Sequence, residues 1–289
     1  MAEGPVSYLG RDLREALADG ATRTPAVSPD GGRWLALWAL GCALAGLTLF
    51  LFCGYHAGFW RLNGLAAETP DWIWQWVTVL GDERVAFALT LFFSRRYPRV
   101  FWSLIVAALI GIAYTHALKP LFSALRPAGV LDPDAFNLIG PRHRKVSFPS
   151  GHSVTAAVFF AVWLYYLRAT WARWILVLVA VAAGLSRVAV GVHWPVDVAA
   201  GLMGGILAAW LGVALARRSP WGILEPSVHL AFVSLAAVLT VTLLYWDGGY
   251  GAAAQVQRLV GVAALVCAAY LYLIRPLSRW LGERERRSP

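Results

Sequence analysis

The stretch Ser186-Arg187-Val188-Ala189-Val190-Gly191-Val192-His193-Trp194-Pro195-Val196-Asp197 lies inside apolar sequence, yet it carries a serine, an arginine, a histidine and an aspartate. Ionisable groups at membrane depth are costly and mark functional positions by default. His193 and Asp197 are four residues apart, so a helix places both on one face. Pro195 fits such a helix if the helix is just starting there. An aspartate that fixes one ring nitrogen of an imidazole makes the other a usable nucleophile. Arg187 brings a planar fork suited to phosphate oxygens. A buried ion pair that only fixes helix packing is the competing reading of this stretch taken alone.

The sequence around it belongs in a membrane. The 289 residues are 59% hydrophobic and 14% charged, with a mean hydropathy of +0.60, whereas soluble domains carry about 25% charge. The fold class expected is all-α, a polytopic helical bundle of about eight transmembrane helices. Trp34 to Tyr55 matches the ~20 residues that a bilayer requires. Further spans are read over Gly81 to Ser94, Val100 to Leu118, Gly151 to Leu167, Trp174 to Val190 and Trp194 to Ala216. Val228 to Trp246 and Leu259 to Ile274 add two more. Gly201 and Gly205 form a GxxxG pattern on the sixth, a signal for close helix contact.

Between the spans the reading is coarser. In the polar leader, residues 1–33, Leu9 to Leu17 suits a short amphipathic helix and the rest reads as mobile. No cleavable signal is read there, because the first apolar run begins only at Trp34. His56 to Thr69 reads as a loop, and the tryptophan-rich Pro70 to Leu80 as a short interfacial helix. Lys119 to Pro149 is polar and rich in Pro and Gly, and so is expected outside the lipid. Residues 219–275 hold the last two spans, and 276–289 form a basic tail.

The net charge of +9 does not point to nucleic acid, since its arginines sit between apolar spans. With both termini cytoplasmic, sixteen of the 25 Lys and Arg fall in cytoplasmic segments, the bias expected of membrane topology. The polar clusters then share the opposite face. Cys42, Cys53 and Cys267 lie in apolar runs and suggest neither disulfides nor a zinc site.

Two more clusters accompany the opening stretch. Lys119-Pro120 and Arg126-Pro127 close the third span with two cations, an anion trap; snorkelling at a helix end accounts for one of them. Pro149-Ser150-Gly151-His152 opens the fourth span. A Ser-Gly turn into a helix start offers free amides and the positive end of the dipole to a phosphate, and His152 is placed to exchange a proton. A Ser150 cap beside a passive histidine is the simpler reading of that motif alone.

Taken in order, Lys-x6-Arg-Pro, Pro-Ser-Gly-His and Ser-Arg-x5-His-x3-Asp resemble the type 2 phosphatidic acid phosphatase (PAP2) superfamily, in its integral-membrane lipid phosphatase branch. The resemblance covers roughly Ala66 to Ala216. It implies a six-span catalytic core within 34–218, with two additional helices beyond it. It makes His193 the nucleophile that forms a phosphohistidine, Asp197 its orienting carboxylate and His152 the general acid. Lys119, Arg126, Arg187, Ser150 and Gly151 would hold the phosphoryl oxygens, with Pro127, Pro149 and Ser186 supporting the pocket.

Physical chemistry agrees with that assignment, since phosphoryl transfer depends on charge stabilisation and in-line placement. No carboxylate cluster suits Mg²⁺, so neither metal nor cofactor is expected. Arg142, Arg144 and Lys145, with His143 among them, are candidate contacts for a second phosphate; a solvated basic loop facing anionic lipid is the alternative. His116, one turn before Lys119, reads as a buried packing histidine, and Asp82 with Glu83 as a helix cap or a counter-charge to the pocket. His56 and His229 read as incidental.

The expected activity is hydrolysis of a lipid phosphate or pyrophosphate on the non-cytoplasmic face of a bacterial inner membrane. Undecaprenyl pyrophosphate, phosphatidic acid, phosphatidylglycerol phosphate and lipid A are the candidate substrates. The expected partners are thus the lipid substrate and the bilayer, with no nucleic acid. Two other readings stay open: a lipid phosphotransferase using the same histidine, and a non-catalytic lipid-binding or transport protein.

Overall fold

A computed structural model of the chain describes residues 4–287. The outermost parts of the leader and tail segments, residues 1–3 and 288–289, lie outside the described residues. In chain order the helices are α1 (Pro5–Thr22), α2 (Gly31–Thr48), α3 (Phe59–Ala67), α4 (Asp71–Thr78), α5 (Glu83–Leu91), α6 (Pro98–Phe122) and α7 (Pro127–Val130). They continue as α8 (Gly151–Tyr166), α9 (Thr170–Ala189), α10 (Pro195–Arg218), α11 (Trp221–Leu224), α12 (Pro226–Thr242), α13 (Ala254–Ala269) and α14 (Arg275–Arg287). No strand occurs among the described residues. The protein is an all-α, polytopic membrane protein.

Among the described residues five helices are long and apolar enough to cross a membrane: Gly31–Cys53, Pro98–Val130, Thr170–Ala189, Pro195–Arg218 and Gly251–Arg286. The other apolar segments expected to span are shorter. At 1.5 Å per residue α5 is about 14 Å long, against a hydrocarbon core of about 30 Å. By the same measure α8 reaches about 24 Å, and it is enclosed by α2, α6, α9 and α10. An enclosed helix need not reach both water faces, so α8 can start inside the bundle, where the polar groups at its N-terminus meet other protein groups and no lipid.

Helix α10 is the hub of the core and packs against α2, α6, α8 and α9. Its glycines allow this. A Cβ on Gly201 would stand 2.6 Å from the Ser150 carbonyl oxygen, and one on Gly205 would stand 2.5 Å from that of Val154. The GxxxG pattern therefore does hold two helices together, α10 and α8. On the other side of the bundle α12 and α13 pack against α5.

Two expectations for the connecting segments need correcting. Most of the leader is helical and docked. Tyr8, Leu13, Leu17 and Ala21 of α1 are buried, and the helix contacts α6, α11, α12 and α14. Arg95 donates to the Asp12 carboxylate, Arg99 to the Ala21 carbonyl at 2.6 Å, and the Tyr8 hydroxyl to Glu283 at 2.9 Å. Polarity alone suggests a mobile leader, but one apolar stripe and a basic turn to receive it suffice for docking. Likewise 56–69 is not a loop throughout. Gly58, at φ +77°, leads into α3, whose Phe59 is fully buried and meets Trp194 edge-on at 4.9 Å.

The arginine-rich turns gather at one end of the bundle, with α1 and α14. Lys119, Arg126, the N-terminus of α8 and the α9–α10 turn gather at the other.

Candidate active site

The quoted stretch builds the centre of that second end. Arg187 lies in the last turn of α9, and its carbonyl receives the amides of Val192 and His193 at 3.0 and 3.2 Å. Gly191 makes the turn possible: its φ is +77°, and a Cβ there would stand 2.5 Å from the Asn137 carbonyl oxygen. Trp194 then caps α10 with Pro195 at its first position, as the sequence suggested. His193 itself precedes the helix. It meets Asp197 because the chain folds over the helix start, and the two do not lie along one helical face.

Asp197 is fully buried and wholly engaged. Its Oδ2 accepts from the Trp194 amide at 2.9 Å and from the Ser147 hydroxyl, and lies 3.2 Å from His193 Nδ1. Its Oδ1 accepts from the Tyr55 hydroxyl. With Nδ1 turned to the carboxylate, His193 keeps Nε2 for the cavity. Burial first, and then the charge of Arg126, hold the imidazole down to about 3 against the opposing pull of Asp197. The ring is therefore neutral near pH 7, with an unprotonated nitrogen.

That cavity is about 560 Å³ and is lined by residues of all three motifs: Lys119 and Arg126, Gly151 and His152, Arg187 and His193. The two imidazoles thus border one space. Arg126 is aimed by two backbone carbonyls, donating from Nε to Lys145 at 3.0 Å and from Nη1 to Val192 at 3.2 Å. Arg187 donates from Nη1 to the hydroxyls of Thr78, at 2.6 Å, and Tyr250, at 2.9 Å. Away from this charged end the cavity follows α6 back through Ile112 and Leu104 and is walled by Val158, Phe159 and Leu239. From Lys119 to Leu104 the helix advances about 22 Å.

Several expected residues stand behind this cavity. Ser150 is buried as the cap of α8, its Oγ accepting from the Ser153 amide at 3.4 Å and the Ser153 hydroxyl at 2.8 Å. Its amide donates to the Asp197 carbonyl at 3.1 Å, which locks α8 to α10. The Ser186 hydroxyl turns back to the Ala183 carbonyl at 2.7 Å. Pro127 opens α7 and is buried, as is Pro149.

In the basic run, Arg142, Arg144 and Lys145 are exposed, and Arg142 lies 3.8 Å from Asp134. It is His143 that borders the cavity; burial, with Arg126 and Arg187, lowers its pKa from the ordinary histidine value. Asp82 caps α5, accepting from the Arg84 amide at 2.8 Å, while Glu83 faces the cavity. His116 is exposed, against the expectation of burial, with Nδ1 3.0 Å from the Ile112 carbonyl. His56 stacks on Trp194 at 4.0 Å, and His229 bonds the Tyr272 hydroxyl at 2.7 Å.

Four residues outside the motifs complete the frame: Tyr55, Ser147, Thr78 and Tyr250. A fifth, buried Asn63, donates to the Asn137, Val188 and Ala189 carbonyls at 2.8, 3.1 and 3.1 Å. It thereby ties the end of α9 to the loop before the active site. Only Ser147 carried a sequence signal, three residues ahead of Ser150.

Sequence comparison agrees with the family that the three motifs resemble. The PAP2 superfamily profile matches residues 99–221. An undecaprenyl-diphosphatase of Sulfolobus acidocaldarius is 34% identical over 164 residues, 55% of this chain and 73% of that protein. A lipid A 4'-phosphatase of Bacteroides thetaiotaomicron is 26% identical over 178 residues, 59% of this chain and 76% of that one. Among solved structures, LpxE of Aquifex aeolicus superposes with a TM-score of 0.48 at 28% identity, covering 54% of this chain and 92% of its own. The apolar helices and these relatives together identify a membrane phosphatase. The chain belongs to the PAP2 superfamily.

Proposed function

We propose that the protein hydrolyses a lipid phosphate or pyrophosphate through a phosphohistidine at His193. The observation that carries this is the two-part cavity, three cations at one end and an apolar wall about 22 Å along α6 at the other. A headgroup fits the first part and a hydrocarbon tail the second, without the tail leaving membrane depth.

Lys119, Arg126, Arg187 and the free amides at the start of α8 hold the phosphoryl oxygens and neutralise their charge in the transition state. Asp197 holds His193 through Nδ1, so Nε2 attacks phosphorus in line with the leaving oxygen. The P–N bond forms as the P–O bond breaks, and His152 gives its proton to the departing oxygen. In the second half water attacks the phosphohistidine, His152 takes the water proton, and the P–N bond breaks to release phosphate. The imidazolium character that His193 gains in the first step is offset by the buried Asp197 carboxylate.

The arginine-rich end is cytoplasmic in this reading, and the site opens on the non-cytoplasmic face. The relatives' printed activities support substrates of the polyprenyl-diphosphate and lipid A phosphate kind.

The test is phosphate release by purified protein from a panel of lipid monophosphates and diphosphates in mixed micelles, with EDTA present. Release that vanadate inhibits, that His193→Ala abolishes, and that passes through an acid-labile labelled protein is expected. No release from any lipid, or full activity in His193→Ala, overturns the proposal. Transfer of label to an acceptor lipid instead of water would convert it to the phosphotransferase.

A further inference from the structure

We infer that the α12–α13 connection backs the phosphate pocket, and that Tyr250 is a positioning residue for Arg187. This rests on the function proposed above, because it assigns Arg187 to phosphate binding.

Among the described residues four arginines are buried: Arg84, Arg95, Arg173 and Arg187. Three of them pair with carboxylates, of Asp82, Asp12 and Asp30 respectively. Arg187 is held differently. Two neutral hydroxyl oxygens, from Thr78 and Tyr250, receive its Nη1, and the guanidinium lies 5.6 Å from the Tyr250 ring centroid. Oxygens without formal charge fix the direction of the fork and leave its positive charge uncancelled, as an anion site needs. A carboxylate in their place would compete with the ligand.

The loop that brings Tyr250 is itself built in. The Trp76 indole donates to the Ala252 carbonyl at 2.9 Å, and the Ala252 amide donates to Gln75 Oε1 at 2.9 Å. Arg84, already paired with Asp82, donates to the Trp246 carbonyl at 2.8 Å. Gly248 and Gly249 turn the chain at φ +70° and +86°, and a Cβ on Gly249 would meet Pro141 at 2.8 Å. The Tyr250 ring lies so close to Gly140 that a Cβ there would stand 2.8 Å from it. Tyr250 is only 4% exposed. Leu239 of α12 also lines the apolar part of the cavity. Thr78 and Tyr250 both fall outside the family-matched residues 99–221. Helices α12 and α13 therefore have a place in the reaction: their connection holds one of the three phosphate cations in register.

Tyr250→Phe keeps the ring and removes one oxygen. Loss of a hydrogen bond to a charged group predicts a rise of about tenfold in KM and in the vanadate inhibition constant, with a smaller change in kcat. Thr78→Val is expected to do the same from the opposite side, and serves if Tyr250→Phe lowers the melting temperature. In an Arg187→Ala background, Tyr250→Phe is expected to add nothing. Unchanged KM and vanadate inhibition in both single variants, or an equal penalty with Arg187 already removed, overturns the inference. Calorimetric binding of orthovanadate to wild type and Tyr250→Phe separates this from the proposed activity. Weaker binding in the variant supports the positioning role even if no lipid is hydrolysed, and equal binding sinks it even if hydrolysis is confirmed.

Discussion

The Tyr55 hydroxyl donates to Asp197 Oδ1, joining the end of the first span to the start of α10 across 142 residues of sequence. The bond uses the carboxylate oxygen that His193 does not. It holds the carboxylate plane, and with it the line along which Oδ2 meets the imidazole. Tyr55→Phe keeps the ring beside Trp194, 6.5 Å away between centroids, and frees that plane. The expected result is a fall in kcat of about tenfold with KM little changed, since the Asp197–imidazole contact that Tyr55 aligns is the one that strengthens as His193 gains charge. Steady-state kinetics on any hydrolysed lipid checks it, and a rise in KM alone would contradict it.

Such a bond was out of reach of the sequence, and the reason is instructive. Tyrosine at the end of a membrane span is ordinary belt composition, and nothing local marks Tyr55, or Tyr250 in its glycine-rich turn, as a partner of a distant polar group. The three motifs were legible because charged residues interrupt apolar runs at spacings that chemistry explains. Gly201 and Gly205 were legible for the same reason, being small residues at a helical interval. The count of spans was less so. Hydropathy finds apolar runs, and α8 is as apolar as a span while being walled by protein. Leader docking was missed because Tyr8, Leu13, Leu17 and Ala21 form a stripe too sparse to stand out from its polar surroundings.

His193 also sets a dependence on pH. Its folded value is lowered to about 3 from an unfolded value of about 6.5. Below the unfolded value the unfolded chain binds a proton that the folded site refuses. Stability from this group is therefore intact above pH ~6.5 and falls as pH drops from there toward ~3. In detergent, the melting temperature of wild type is expected to decline more steeply across that window than that of His193→Gln. His143 and His152 border the same cavity as the ring, with Lys119, Arg126 and Arg187, and Asp197 lies against it; all of these are present in both proteins, so the difference between the two curves reports the His193 ring. Parallel curves for the two proteins would refute the argument.

Gly205 tests the packing on which the site depends. With Cβ positions 2.5 Å from the Val154 carbonyl and 2.6 Å from the Ala157 methyl, Gly205→Val cannot be accommodated without moving α8 away from α10. Overpacking of this kind costs about 1–3 kcal/mol. Because Ser150 and Asp197 join the same two helices at their N-terminal ends, beside His193, phosphate release is expected to fall further than the loss of folded protein explains. A melting curve and a specific activity on the folded fraction measure the two effects separately. Normal specific activity would show that the site tolerates a shift of α8.

Leu17 distinguishes a docked leader from a mobile one. It is fully buried in the face of α1 that is held against the basic turn by Asp12 and Arg95. Leu17→Ala is therefore expected to cost about 2–5 kcal/mol, the range for a large-to-small change in a packed core. The cost should appear as a lower melting temperature, or as release of α1 to proteolysis near Arg23. The catalytic end is at the far side of the bundle, so kcat and KM below the transition should match wild type. A mobile leader predicts no change in either measurement. The same variant combined with Asp12→Asn separates packing from charge. If the ion pair between α1 and Arg95 carries part of the docking, the double variant loses more than Leu17→Ala alone. If the apolar stripe carries all of it, the two proteins melt together.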